Sequence, residues 1–186
     1  MSLLRRAQVW SVAVTVSFVL FPFALQAQSM TRFLSTPETQ VVTRGDFIRA
    51  AVRALGLPES PQKFPATDVR QIPRSLAPFV REAEEHHALD LFDTDLNLRS
   101  GITRGEAVYV LARLTDRKAP AATDTFTDVP NDSDFADAVA IALAQQWLKP
   151  VRAHFFGIRL PLVGREAQLL LGRIVRSETK TTQELP

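Results

Sequence analysis

The stretch from Gly101 to Leu114 reads GITRGEAVYVLARL, and its opening, Ile102-Thr103-Arg104-Gly105-Glu106-Ala107, occurs three times in the chain. At an offset of 60, Val42-Thr43-Arg44-Gly45-Asp46 precedes it and Leu162-Val163-Gly164-Arg165-Glu166-Ala167 follows it. Behind the opening, Ala107, Val110, Leu111 and Leu114 recur at i, i+3, i+4 and i+7, and Ala167, Leu170, Leu171 and Ile174 repeat them. That spacing puts the apolar side chains on one face of a helix. Thr103 with Glu106 has the form of a capping box, and Thr43 with Asp46 has a shorter version of it.

The same offset carries Thr67-Asp68-Val69 onto Thr127-Asp128-Val129. Between the capped helices lies a second kind. Leu76, Phe79, Val80 and Ala83 share a face, with Ser75 as the expected N-cap and Pro78 tolerated in the first turn. Ala138, Ile141 and Ala142 mark its counterpart one repeat later. The expected helices are 44–56, 75–88, 103–115, 134–148 and 164–176, joined by proline- or turn-rich connectors such as Phe64-Pro65-Ala66-Thr67 and Val129-Pro130-Asn131-Asp132. Residues 177–186 are polar and without period, and read as a disordered tail; residues 28–41 also look loose.

Capping does not require an arginine. A cation in the first turn faces the positive end of the helix dipole and costs a few tenths of a kcal/mol. Arg44 and Arg104 are therefore the residues that local structure explains least. Two roles fit them: an ion pair to a neighbouring repeat, or a fork held out for an anionic ligand.

A turn with Phe-x-Asp-Val, here Phe126-Thr127-Asp128-Val129, an amphipathic helix, a loop, and then hydrophobic-Thr-Arg-x-Glu heading a second helix resembles the S-layer homology (SLH) domain. The likeness spans most of residues 33 to 175. It implies a mainly α fold of tandem helix-loop-helix units packed as a pseudo-threefold bundle. The units are an incomplete first one at 28–63, a second at 64–115 and a third at 116–176. It also implies attachment to a cell-wall secondary polysaccharide or peptidoglycan-linked polymer, with Arg44, Arg104 and Arg165 as polymer contacts. Thr43, Asp46, Thr103 and Glu106 are then structural caps. The sequence departs from the family in three places: no glycine turn stands at Ala88-Leu89-Asp90-Leu91 or Trp147-Leu148-Lys149-Pro150, Val163 cannot cap, and Arg165 is one position late. A second expectation keeps the fold but gives it an envelope protein as partner, its arginines serving the repeats themselves.

The first 27 residues have the plan of a secretory signal peptide: Arg5 and Arg6, an apolar run from Val9 to Phe23, then small residues ending at Ala27. The run is shorter than the roughly 20 residues of a membrane span. Export to the cell envelope is therefore expected. The whole chain of 186 residues has 22 basic and 20 acidic side chains. Removing the two signal arginines leaves 20 of each, so no basic stripe points to nucleic acid. With no cysteine, disulfides, thiolate metal sites and a cysteine nucleophile are excluded.

Other chemistry is poorly represented. Asp93-Thr94-Asp95-Leu96-Asn97 with Glu106 has part of a calcium-loop pattern, but Arg99 and Ser100 occupy positions that need a ligand and a glycine. Glu82, His86 and Asp90 at i, i+4 and i+8 form half a metal site at most, and a polar helix end explains them as well. No nucleophile, base and acid stand at recognisable spacing, so neither an enzyme, a metal nor a cofactor is expected. Trp147 sits at the end of an apolar face and reads as core rather than as a sugar platform.

Overall fold

The computed structural model describes residues 33–59, 72–92, 96–120 and 126–183. The expected signal peptide, the connector at 60–71 and the acidic stretch at 93–95 lie outside them. Five α-helices run in order: α1 (Arg44–Ala54), α2 (Ala77–Glu85), α3 (Arg104–Leu114), α4 (Phe135–Ala144) and α5 (Gly164–Gln183), with a 3-10 turn at Asp90–Phe92 between α2 and α3. No strand occurs among the described residues; extended pairing is limited to isolated bridges. The fold is mainly α, as the apolar spacing requires.

The helices form because each buries the stripe read from the sequence. Ala107, Val110, Leu111 and Leu114 on α3, and Ala167, Leu170, Leu171 and Ile174 on α5, all lie in the core. Trp147 and Phe156 are fully buried beside them. The Trp147 Nε1 has no hydrogen-bond partner among the described residues, so this ring contributes area and not polarity. Helix α2 packs on α1, α4 on α3, and α5 returns to α1.

What joins the repeats is a closed cycle of backbone hydrogen bonds. The Ile102 N–H donates to Val42 C=O at 2.8 Å, Leu162 to Ile102 at 2.9 Å, and Val42 to Leu162 at 3.0 Å. All three residues are fully buried. The first amides of each capped helix then reach one repeat further. Arg44 and Gly45 donate to Ser100 and Leu98, Arg104 and Gly105 to Leu160 and Ile158, and Gly164 and Arg165 to Gln40 and Glu38, each at 2.9 Å. Amides that a helix N-terminus would leave unpaired are thus satisfied by the neighbour.

Four departures from expectation have physical causes. Ser75 is not a cap: the N-cap of α2 is Leu76, without a side-chain bond, and Pro78 supplies the early-turn geometry instead. Thr43 and Asp46 make half a box. The Thr43 hydroxyl accepts from the Asp46 amide at 3.1 Å and donates to its carboxylate at 2.8 Å, the shorter side chain binding the hydroxyl and not the Thr43 amide. Residues 177–186 are not a loose tail throughout, since α5 continues to Gln183. The Ser177 hydroxyl bonds to Ile174 C=O, and Arg117 holds Glu178 at 2.6 Å, so the extra turns are tied to the bundle. Finally, α2 and α4 end earlier than 88 and 148.

Both helices close at their C-terminal ends in the same way. After α2, the amides of His87 and Ala88 bond to Glu84 and Ala83 carbonyls; after α4, Gln146 and Trp147 bond to Leu143 and Ala142. These are Schellman closures, which place one residue in the left-handed region. His87 and Gln146 occupy that position at φ +55° each, where glycine is normally found. A side chain there costs about 1 kcal/mol. Gln146→Gly, at an exposed site, is expected to raise stability by about 1 kcal/mol, read as an upward shift of the urea midpoint at unchanged slope.

Candidate functional site

The sequence singles out Arg44 and Arg104, and the structure gives both the same surroundings. Arg44 lies at the first turn of α1. Its NH2 and Nε donate to Glu106 at 2.6 and 3.5 Å, its NH1 to Leu96 C=O at 3.2 Å, and its guanidinium lies 4.5 Å from the Phe92 ring centre. Arg104 repeats this at α3. NH1 pairs with Glu166, Nε donates to Phe156 C=O at 3.2 Å, NH2 to Lys149 C=O at 2.6 Å, and the Phe156 ring lies 5.2 Å away. In both cases the carboxylate is 62 residues on and the loop carbonyl 52 residues on. Each arginine therefore closes a seam between its own repeat and the next.

The two seams differ in which partner is buried: Arg104 keeps 5% of its side-chain surface and Glu166 31%. The residue Arg104 is 4% exposed, and burial lowers its pKa from the ordinary arginine value, with the Asp128 charge opposing that shift. Arg44 keeps 19% of its side-chain surface and Glu106 keeps 13%. Glu106 works twice, since it also accepts from the Thr103 amide at 2.9 Å and so completes the capping box of α3.

The third seam is built differently. At the position corresponding to Arg44 and Arg104 stands Gly164, where a Cβ would meet the Pro37 carbonyl oxygen at 2.3 Å. Asp46, the counterpart of Glu106 and Glu166, turns to Arg49 on its own helix at 2.6 Å. Arg165 is exposed at the start of α5 and has no ion pair among the described residues. The three expected polymer contacts are thus not brought together: Arg104 is internal, Arg44 is at a seam edge, and Arg165 stands outside.

Asp128 is the residue whose role the sequence did not disclose. Its carboxylate accepts from three successive amides, Phe156 at 2.9 Å, Gly157 at 2.6 Å and Ile158 at 2.9 Å. Burial pushes its pKa up, but the amides favour the charged form more strongly and hold it below the usual carboxylate value. The loop so clamped is the one whose Phe156 carbonyl receives Arg104. The repeated Thr-Asp-Val was visible; the partners are backbone groups about thirty residues away and carry no side-chain signature.

A depressed carboxylate pKa makes a signed prediction. The folded pKa lies below the unfolded one, so Asp128 stabilises the fold fully above the unfolded value of about 3.9 and loses that contribution as pH falls through the folded value. Asp128→Asn is expected to be less stable than the parent at pH 7. The gap should close in acid below about pH 4, as urea titrations of both proteins across pH would show.

The histidines do not assemble a metal site. His86 pairs with Glu82 at 3.4 Å, whereas Asp90 lies beyond the end of α2 and pairs with His87 at 3.2 Å. No cluster of three or more metal-ligating side chains occurs among the described residues, and no helix among them is long and apolar enough to cross a membrane. Compared with protein-family models and with curated proteins, the chain gives no match.

Proposed function

We propose that this protein is a non-catalytic binding module of the cell envelope, made of three SLH-like units about a pseudo-threefold axis, the first unit incomplete. The observation that supports this best is the closed cycle through Val42, Ile102 and Leu162, with its matching helix-start bonds at intervals of 60 residues. That cycle sets three motif-bearing helix starts side by side, as tandem units of this kind need. Export is part of the proposal and rests on the plan of residues 1–27.

In this reading the seams face an anionic secondary polysaccharide or peptidoglycan-linked polymer. Arg165 is open to a carboxylate, and Arg44 is reached at its exposed edge. Arg104 acts as a positioning residue, because its fork is already held by Glu166 and two carbonyls. No cofactor enters. A second reading, an exported adaptor that binds another protein, is favoured by one observation: both motif arginines are engaged by neighbouring repeats and fasten them.

Co-sedimentation of the protein with cell-wall sacculi from its own source, before and after removal of secondary polymers, separates the two. Polymer attachment predicts pelleting that needs the polymer and weakens in Arg165→Ala, a substitution remote from the core. A folded protein that stays in the supernatant throughout excludes polymer attachment and leaves the adaptor.

A further inference from the structure

The loop between α4 and α5 has an unusual makeup for its position. Residues 149–160 carry Lys149, Arg152, His154 and Arg159 and no acid, interleaved with Val151, Phe155, Phe156, Ile158 and Leu160. All four basic side chains are exposed, and so are two aliphatic ones, Val151 at 51% and Leu160 at 40%. They are two of the four large apolar side chains exposed among the described residues. Val151 and Leu160 are neighbours, since a Cβ at Gly157 would lie 2.9 Å from one and 3.0 Å from the other.

The loop is also held rigidly. Asp128 clamps the amides of residues 156 to 158, and Arg104 holds the Lys149 and Phe156 carbonyls. Thr127 grips the His154 carbonyl at the tip through both its amide and its hydroxyl, each at 2.9 Å. Arg152 and Phe155 close the turn by mutual backbone bonds, with the guanidinium 4.9 Å from the ring. Arg152 and Arg159, like Arg165, have no ion-pair partner among the described residues, whereas Arg44, Arg104 and Arg117 do. A stiff loop that displays unpaired cations around an aliphatic pair is preorganised for an anionic surface with an apolar interior.

We infer that residues 149–160 form a peripheral membrane contact, in which Val151 and Leu160 enter the headgroup region and Lys149, Arg152 and Arg159 face anionic lipid phosphates. Weak apolar insertion and weak electrostatic attraction hold a protein on a bilayer when combined, and arginine stems lie along the apolar zone with the charge kept at the surface. A carbohydrate would call for open aromatic faces, but Trp147 and Phe156 are fully buried and the half-buried Phe155 ring is occupied by the Arg152 guanidinium, so the exposed aliphatics favour lipid. This contact uses other arginines than the polymer reading and stands or falls separately from it.

The test is flotation of the full chain with phosphatidylcholine vesicles, with and without a minority of phosphatidylglycerol, beside sacculi sedimentation of the same samples. The expected result is flotation with anionic vesicles that falls with added salt. At about a fivefold loss per arginine, Arg152→Gln/Arg159→Gln should bind about twenty-fivefold more weakly. Val151→Ser/Leu160→Ser should also lose binding while keeping its circular dichroism spectrum. Absence of flotation overturns the inference. So does flotation that both double variants retain, which would place the contact elsewhere, including the apolar run at Val9–Phe23. Loss of sacculi pelleting in the arginine variant, with vesicle binding unchanged, would reassign the loop to polymer and likewise overturn it.

Discussion

Arg104→Ala will destabilise the fold by about 3 kcal/mol, the loss expected when a buried arginine that holds two backbone carbonyls and a carboxylate 31% exposed is removed. The substitution deprives Glu166 of its cation and leaves the Lys149 and Phe156 carbonyls short of a donor. It also empties the space above the Phe156 ring. Arg44→Ala removes a more exposed arginine that holds one carbonyl and not two, so its cost should be about half as large. Urea denaturation of the two variants measures both. An Arg104→Ala cost below about 0.5 kcal/mol, the range of an ordinary surface change, would mean that the arginine is held out for a ligand and not engaged as a fastener. A further comparison sharpens this. Arg104→Met/Glu166→Leu removes both charges together and should be less destabilised than the sum of its single changes, because the two positions interact directly.

The repeat was legible because its elements follow a 3.6-residue apolar period and recur at a fixed offset. Ala107, Val110, Leu111 and Leu114 are buried for the reason their spacing gave, and so are their counterparts on α5. The choice between ligand and neighbour for Arg104 was not legible, since a guanidinium serves a sugar carboxylate and a glutamate by the same geometry. A signal was nevertheless present: Glu106 and Glu166 stand 62 residues after Arg44 and Arg104. The left-handed positions His87 and Gln146 were hidden because neither residue type announces positive φ. The length of α5 was hidden because its last turns are polar and are secured by a tertiary contact to Arg117.

One pattern becomes readable only when structure and repeat are combined. On α1, Gly45, Ile48 and Val52 are buried, and on α3 so are Gly105, Val108 and Ala112; α2 and α4 respectively pack on these helices. The glycines allow close approach, as a Cβ at Gly45 would sit 2.7 Å from Leu76 and one at Gly105 would sit 3.1 Å from Phe135. The same positions on α5 are Arg165, Gln168 and Gly172, which are exposed or half-buried, beside Leu169 at 40% exposure. At these positions α5 thus carries Arg165 and Gln168 where α1 and α3 have a packing glycine and an aliphatic residue.

The same helix supplies the second large effect. Gly164→Ala is expected to cost about 3 kcal/mol, the upper end of what overpacking produces, because the obstructing atoms are backbone. A Cβ there would lie 2.3 Å from the Pro37 carbonyl oxygen and 3.0 Å from that of Thr36. Relief requires moving residues 36 to 40 away from α5. That movement strains the bonds from Gly164 and Arg165 to Gln40 and Glu38, and beyond them the Val42 to Leu162 link that closes the cycle. Among the described residues no guanidinium locks this seam as Arg44 and Arg104 lock the other two, so little resists the separation once it begins. Gly172→Ala, two turns further along α5, is the internal control. Nothing lies within 4 Å of its Cβ position, and replacing a mid-helix glycine there should stabilise by about 0.8 kcal/mol. Opposite signs at two glycines of one helix would identify backbone contact at the third seam, and not helix propensity, as the constraint on Gly164. Equal signs would show that the chain before α1 yields freely and that the cycle is not what holds the repeats together.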